Sequence, residues 1–195
     1  MHRMTRSDDP IVVALDRLIL LLMLAALAAV LTAAMALQVA LGEIPCPLCL
    51  LQRVAMFGCC FGLILQLRSE HSERGQERGS GIGLMFAVLL LVISVRQTLL
   101  DIVPRPGHAY IGQAVFGLHM PVWSVVIAVA LLAGFAIRLV LFGAPRAAAA
   151  GGDGPLGRWA RGLELYVVVI SAINFVSVVL QCGLGECHTF GYRLL

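Results

Sequence analysis

The chain has 195 residues, of which 60% are hydrophobic and 13% charged, and its mean hydropathy is +0.94. A water-soluble domain of this length does not need so much apolar sequence, so the composition excludes that class and indicates a small polytopic membrane protein. The net charge of +3 reflects arginines gathered on one side of the apolar stretches, and we expect no nucleic-acid partner.

Five apolar stretches follow one another along the chain, and each is long enough to cross a membrane as a helix of about 20 residues. The second and third reach that length only when Arg53 and Arg96 are counted inside them. We therefore expect an all-α membrane protein with a single membrane domain over residues 1–195. The predicted helices cover about 18–42, 46–67, 81–100, 121–142 and 164–181.

The arginines predict which way the chain crosses the membrane. Ten of the 14 basic residues precede the first predicted helix or flank the second and fourth connections. The opposite side holds only Arg53, Arg96, Arg105 and Arg193. Because positive residues stay on the cytoplasmic side, we expect a cytoplasmic N-terminus and an outer C-terminus. The polar segment 68–80 is then a solvated loop, and residues 143–163 form a cytoplasmic linker.

Four of the six cysteines form two close-spaced pairs on the outer side. Cys46 and Cys49 lie in "EIPCPLCLLQR", where the second helix begins, and Cys182 and Cys187 lie in the tail 182–195 after the fifth helix. The outer side is where disulfides persist. The remaining two, Cys59 and Cys60, fall in the middle of the second helix, and we expect them to be apolar core residues.

The first pair sits where a helix favours a thiolate. Pro47 suits the first helical position because its missing N–H has no partner there, and Cys46 then occupies the N-cap. The positive end of the helix dipole stabilises a thiolate over a thiol at both cysteines. A thiolate is the species that attacks disulfides. The pattern therefore predicts a redox-active dithiol, with a static disulfide as the alternative.

A positive charge accompanies this dithiol inside the predicted span. Arg53 is four residues beyond Cys49, on the same helix face and about 6 Å deeper. A charge within a span is costly, so it usually has a partner or a task. We expect Arg53 to hold an electronegative ligand, with Arg96 completing the pocket. The alternative for both is that they extend to the membrane surface.

Two segments resemble the disulfide bond formation protein B (DsbB) family. They are "PCPLCLLQRVAMFG", which contains the dithiol and the arginine, and "FGLHMPVWSVVIAVAL" at 116–131. The resemblance covers roughly residues 18–142, and it implies an antiparallel four-helix bundle in the bacterial inner membrane. The fifth helix is additional to that pattern.

The resemblance also implies roles for individual residues. Cys49 would be the thiolate next to a quinone (ubiquinone or menaquinone), Cys46 would exchange disulfides with a second pair, and Arg53 would contact the quinone. Gln52 stands where the family motif commonly has an acidic residue, so it alters the electrostatics of the quinone-binding pocket. The implied activity is that of a thiol:quinone oxidoreductase, which is embedded in the membrane lipid and makes disulfides de novo.

The second cysteine pair departs from the family pattern. In the family, a second cysteine pair lies in the outer loop between the third and fourth helices. This chain has no cysteine in that loop. We predict that Cys182 and Cys187 replace that pair and pass disulfides to a DsbA-like thioredoxin-fold oxidase in the periplasm. The alternative is a fixed disulfide that braces the C-terminus.

Two other functions compete with this one. The four outer cysteines have the number of thiolates that a structural zinc site in a transport or assembly protein needs. Arg53 would repel such a metal, and we predict no metal site. An enzyme resembling vitamin K epoxide reductase is a rival of the same class, with similar chemistry in another helix order.

Overall fold

A computed structural model of the chain describes residues 10–42, 45–69, 72–102, 116–142 and 155–183. Within these residues the chain forms five α-helices, each long and apolar enough to cross a membrane. They are α1 Pro10–Leu41, α2 Pro47–Arg68, α3 Glu73–Ile102, α4 Met120–Phe142 and α5 Pro155–Cys182. The prediction of an all-α polytopic membrane protein with five spanning helices is confirmed.

Helices α1 to α4 form a closed ring in which neighbours run in opposite directions. α3 packs against α2 and α4, and α1 packs against α2 and α4. The start of α2 meets the end of α3, where Gln52 is bonded to Gln97. The start of α1 meets the end of α4, where Asp16 pairs with Arg138. This is the predicted antiparallel four-helix bundle.

The fifth helix lies outside the ring, against α1 and α2. Glu164 near its start bonds Arg68 at the end of α2, and Gln181 near its end bonds Pro45 just before α2. Helix α5 is therefore antiparallel to α2 and parallel to α1. We call the end of the bundle that holds Cys46 the dithiol end, and the opposite one the Arg138 end.

The interior of the ring is a packed apolar core. Its largest fully buried apolar side chains are Leu24, Leu27, Leu31, Leu63, Leu90 and Phe135. Cys59 and Cys60 are part of the same cluster, at 0% and 1% exposure, as free thiols. Their burial agrees with the prediction that they are core residues. Large apolar side chains also cover the outside of every helix, as expected where lipid is the solvent.

Helices α2 and α3 approach each other closely where glycines face. A Cβ atom added to Gly62 would lie 2.6 Å from the backbone nitrogen of Gly83 and 2.7 Å from the carbonyl oxygen of Gly79. Gly79 and Gly83 are four residues apart on one face of α3, the small-xxx-small spacing that lets membrane helices pack tightly. No side chain fits at Gly62 unless the two backbones separate.

We expect Gly62→Ala to destabilise the protein, although alanine favours helix over glycine by about 1 kcal/mol. The added methyl group overpacks the α2–α3 contact, which typically costs about 1–3 kcal/mol. Thermal unfolding in detergent measures the difference. Gly81→Ala is the matched control, because a Cβ there meets nothing within 4 Å. A Gly62→Ala protein that melts no earlier than Gly81→Ala would contradict the close contact.

A buried polar cluster closes the Arg138 end of the ring. Arg138 is 1% exposed, and its guanidinium pairs with Asp16 of α1 at 2.6 Å. It also donates to Gln66 of α2 and to Ser80 and Gln76 of α3. Sequence analysis placed Arg138 among the arginines that flank a solvated connection. It instead joins all four helices of the ring through a charge pair and three neutral acceptors.

This cluster explains why α1 and α3 begin earlier than predicted. Helix α1 starts at Pro10 and α3 at Glu73, so most of the expected loop 68–80 is helical. In both helices polar residues beyond the apolar stretch are paired across helices: Asp16 bonds Arg138, and Gln76 bonds the carbonyl oxygen of Gln66. Helix α5 also starts early, at Pro155 inside the expected linker 143–163.

Candidate functional site

The dithiol sits at the N-terminus of α2, as predicted. Cys46 is the N-cap, Pro47 is the first helical residue, and the Cys46 sulfur accepts a hydrogen bond from the Cys49 backbone N–H at 3.2 Å. Both cysteines are free thiols; Cys46 is buried, and Cys49 is partly exposed. The helix dipole and the first backbone N–H groups favour negative charge at this position.

The two sulfurs are not equivalent. A hydrogen bond with the Cys49 side chain, followed by burial, raises the pKa of the Cys46 thiol. This raised pKa opposes the effect of the helix dipole at Cys46, so a thiolate is disfavoured at that cysteine. The prediction of a thiolate at both positions therefore does not hold equally for the two sulfurs.

A line of side chains from α3, α2 and α4 ends at the dithiol. The amide nitrogen of Gln97 donates to the Cys46 sulfur at 3.5 Å and to the Cys49 sulfur at 3.4 Å. The Gln97 oxygen accepts from Gln52 at 3.0 Å, and the Gln52 oxygen accepts from Ser124 at 3.1 Å. Gln97, Gln52 and Ser124 are all buried. Gln52 thus reaches the dithiol through Gln97.

Arg53 points to the other side of α2, into the contact with α1 and α5. One guanidinium nitrogen donates to Gln38 at 2.6 Å, to Asn174 at 3.2 Å and to the Met35 sulfur at 3.4 Å. The other donates to the carbonyl oxygen of Ala34 at 3.2 Å. Arg53 is half-buried. All of these acceptors are neutral, so the positive charge is not compensated by them.

The fifth helix contributes directly to this arginine site. Asn174 is 2% exposed, and Ser177 one turn later accepts a hydrogen bond from Gln38 at 2.8 Å. Asn174 and Ser177 are polar contacts between helices, because they accept hydrogen bonds from Arg53 of α2 and Gln38 of α1. Their link to Arg53 was missed, because nothing in the sequence says which helix face α5 packs against.

Cys182 lies at the same end of the bundle as the dithiol. It is the last residue of α5, is 5% exposed, and is disulfide-bonded. The preceding residue, Gln181, donates to the carbonyl oxygen of Pro45 at 2.9 Å, directly before Cys46. The end of α5 is therefore fixed beside the start of α2. The predicted partner site Cys187 lies outside the described residues.

Arg96 does not join these side chains. It is exposed on α3 and makes no hydrogen bond or ion pair to the dithiol or to Arg53 among the described residues. Gln97, one residue and about 100° further round the helix, occupies the inward position instead. Sequence analysis singled out the charged residue and missed the amide. A glutamine in an apolar helix was the available signal.

Two donors lie near Cys49. Gln97 brings amide N–H groups to one side of the sulfur, and Arg53 brings a cation about one turn deeper. Such donors suit an electronegative ligand, because a cation stabilises negative charge that develops on it. Among the residues that the structure describes, no group of three or more His, Cys, Asp or Glu is placed to hold a metal ion.

Comparison with known proteins gives one family. The family model described as disulfide bond formation protein DsbB matches residues 16–109, which contain α1, α2, α3 and the dithiol. No curated protein and no solved structure matches the chain. The match confirms the family resemblance drawn from the dithiol and arginine motif, and it ends before the fifth helix that carries Asn174 and Cys182.

Proposed function

We propose that this chain, whose residues 16–109 match the family model of disulfide bond formation protein DsbB, is a thiol:quinone oxidoreductase that makes disulfides de novo. The observation that carries the proposal is the free Cys46–Cys49 dithiol at the mouth of α2, with disulfide-bonded Cys182 held beside it. A reducible pair and an oxidisable pair at one end of a membrane bundle are the two parts that an electron relay needs.

The proposed electron path has three balanced steps. A protein dithiol reduces the Cys182–Cys187 disulfide and becomes a disulfide itself. The resulting Cys182–Cys187 dithiol reduces the Cys46–Cys49 disulfide by thiol–disulfide exchange. The quinone then takes two electrons and two protons from the Cys46–Cys49 dithiol, whose disulfide is restored. Cys182 is disulfide-bonded, and we propose Cys187, five residues later in the chain, as its partner.

The different chemistry of Cys46 and Cys49 suits this direction of flow. In the oxidised pair an incoming thiolate attacks one sulfur, and the other leaves. Cys46 directly follows Pro45, to which Gln181 at the end of α5 is bonded, so we assign Cys46 as the sulfur that exchanges with the Cys182–Cys187 pair, which we call the shuttle. Cys49 leaves as a thiolate, which the helix N-terminus and the Gln97 amide stabilise.

The quinone head group is proposed to lie beside Cys49, held by Arg53 and close to Gln97 and Gln52. The hydrogen bonds from Arg53 to Gln38, Asn174 and the Ala34 carbonyl oxygen support this, because they orient the guanidinium. Arg53 would bind a quinone oxygen and stabilise the negative charge that reduction places on it. Arg96, exposed on α3, is left out of the proposed site.

We further propose that the dithiol end faces the periplasm and that the N-terminus is cytoplasmic. The arginine distribution supports this orientation in a bacterial inner membrane. The thiol substrate is then a periplasmic, DsbA-like thioredoxin-fold oxidase. A compartment in which disulfides persist also agrees with the disulfide at Cys182.

Purified protein tests this function through the initial rate at which a reduced thioredoxin-fold protein loses thiols, with and without ubiquinone or menaquinone. We expect the rate to depend on quinone. Metal analysis of the same preparation tests the structural zinc alternative, for which one zinc per chain is required. Cys182 in a disulfide is not available as a zinc thiolate, which already favours the redox function.

Arg53→Met is expected to raise the KM for quinone by about tenfold to a hundredfold, the worth of a hydrogen bond to a charged group. The KM for the thiol protein should change much less, because that substrate is proposed to react with the Cys182–Cys187 pair and not with the quinone site. Arg53→Lys is the matched variant and should restore only part of the affinity, since lysine lacks the planar donor fork. Unchanged quinone kinetics in Arg53→Met would show that the arginine serves only to join α2 to α1 and α5.

A further inference from the structure

The amide of Gln97 contacts both reacting sulfurs. Its nitrogen lies 3.5 Å from the Cys46 sulfur and 3.4 Å from the Cys49 sulfur, and Gln97 is only 5% exposed. A thiolate accepts hydrogen bonds and has none to donate, so it requires the NH₂ end of the amide and not the oxygen. Which way this amide points therefore determines whether it stabilises or repels a negative sulfur.

Two further side chains determine that orientation. The Gln97 oxygen is occupied by the Gln52 amide nitrogen at 3.0 Å, and the Gln52 oxygen is occupied by the Ser124 hydroxyl at 3.1 Å. If Gln97 were reversed, its nitrogen would face the Gln52 nitrogen, two donors with no acceptor between them. An unmatched pair of buried polar groups costs about 1–3 kcal/mol per group. The Ser124 hydroxyl on α4 thus orients the Gln52 amide on α2, which in turn orients the Gln97 amide on α3.

The residue type at position 52 is essential to this arrangement. An ionised carboxylate there has acceptors only. It would take its hydrogen bond from the Gln97 NH₂ group, turn that group away from the sulfurs and leave the Gln97 oxygen facing them. It would also add a like charge near a thiolate. The amide of Gln52 avoids both effects while keeping the same length of side chain.

We propose that Gln97 is a further catalytic residue that stabilises the reduced Cys46–Cys49 pair through its N–H groups, and that Gln52 and Ser124 are positioning residues that fix its orientation. The inference rests on the proposed redox role of the dithiol. The line of bonds does not include Arg53, whose hydrogen bonds go to α1 and α5, so Gln97 and the cation act on the centre through separate contacts.

The consequence is a shift in the redox balance of the pair. A disulfide gains less from N–H donors than a thiolate does, so Gln97 stabilises the reduced form relative to the oxidised one. A couple whose reduced form is stabilised is the stronger oxidant. The disulfide of this pair therefore accepts electrons from the shuttle more readily than it would without Gln97.

The test is the thiol–disulfide equilibrium of the full-length protein in glutathione buffers without quinone. After acid quenching, alkylation and trypsin digestion, the peptide 18–53 carries Cys46 and Cys49 as its only cysteines, so its mass reports this pair alone. We expect Gln97→Leu to lower the ratio of dithiol to disulfide about tenfold at a fixed glutathione ratio. Ser124→Ala should lower it by about threefold, since it acts through Gln52.

Gln52→Glu distinguishes orientation from packing. In the parent protein it should lower the ratio about tenfold, whereas in the Gln97→Leu background only the added charge remains, and the same change should lower the ratio by about threefold or less. Ser94→Ala is the matched control: Ser94 is fully buried one turn earlier on α3 and has no bond to this line, so the ratio should stay within about twofold.

A ratio within about twofold of the parent in Gln97→Leu would overturn the inference, as would equal effects of Gln52→Glu in both backgrounds. If Gln97→Leu does not fold, Gln52→Glu alone decides, because it preserves side-chain volume and must still lower the ratio. The readout contains no quinone. A protein that shows these shifts but no quinone-dependent turnover would disprove the proposed function and leave this inference standing.

Discussion

Replacing Cys49 with serine is expected to abolish quinone-dependent disulfide formation, by more than about 10³-fold. Serine cannot form a disulfide, so electrons cannot pass from the Cys182–Cys187 pair to the quinone. Cys46→Ser should be equally inactive with a protein substrate, because no internal disulfide remains to be exchanged. The measurement is the initial rate of substrate thiol loss with each purified variant.

The matched controls lie on the same helix. Cys59→Ser and Cys60→Ser should retain most of the activity, because both thiols are in the closed core and neither bonds the dithiol. Some loss of thermal stability is expected from a hydroxyl in an apolar cluster. If the Cys59→Ser, Cys60→Ser double variant were folded and as inactive as Cys49→Ser, the assignment of the active pair would be wrong.

Removing the pair at the end of α5 should stop the oxidation of proteins but not of small thiols. We expect a Cys182→Ser, Cys187→Ser double variant to lose at least about 100-fold in rate with a folded thioredoxin-fold substrate. The physical reason is access: Cys46 is buried, and Cys49 only partly exposed, at the mouth of α2. Dithiothreitol reaches these sulfurs directly, so its quinone-dependent oxidation should persist and serves as the control.

Single replacements in this pair should trap the exchange. With Cys182→Ser or Cys187→Ser alone, the remaining thiol can form a mixed disulfide but cannot resolve it. Non-reducing electrophoresis and peptide mapping should then find a covalent link to the substrate or to Cys46. A double variant that oxidised the protein substrate at the parental rate would show that Cys182 only braces the end of α5.

The start of α2 could be predicted from the sequence in atomic terms. Pro47 has no N–H to lose, so the helix begins there, and Cys46 as N-cap follows from the same local rule. The core position of Cys59 and Cys60 also followed, since they occupy the middle of an apolar helix. These features depend on residues close together in the chain.

Features that depend on distant residues were missed. Asp16 and Arg138 are 122 residues apart, and each by itself marks the end of an apolar stretch. Only their pairing across helices makes them interior residues, which is why α1 begins eight residues before its apolar run. Gln97 was overlooked for the same reason. Its importance comes from a sulfur on another helix, 48 residues away in the chain.

The additional fifth helix was predicted as an element but not as part of the site. Asn174 and Ser177 lie on one face of this helix, three residues apart. That this face contacts Arg53, and that Gln181 then sets Cys182 beside the dithiol, depends on how α5 packs against α1 and α2. In the proposed enzyme α5 therefore has two roles: Asn174 orients the Arg53 guanidinium, and the end of the helix holds Cys182 near the dithiol.

The most direct measurement is the stoichiometry of the reaction under anaerobic conditions. Purified protein, a reduced thioredoxin-fold substrate and a limited amount of quinone are mixed, and quinol and substrate disulfide are both counted. The proposed relay predicts one quinol for each new disulfide, and no quinol with Cys49→Ser. More substrate disulfide formed without quinone than the protein's own two cysteine pairs can supply would contradict the proposal that this chain passes electrons from protein thiols to a membrane quinone. So would quinone that stays unreduced through several turnovers of the substrate.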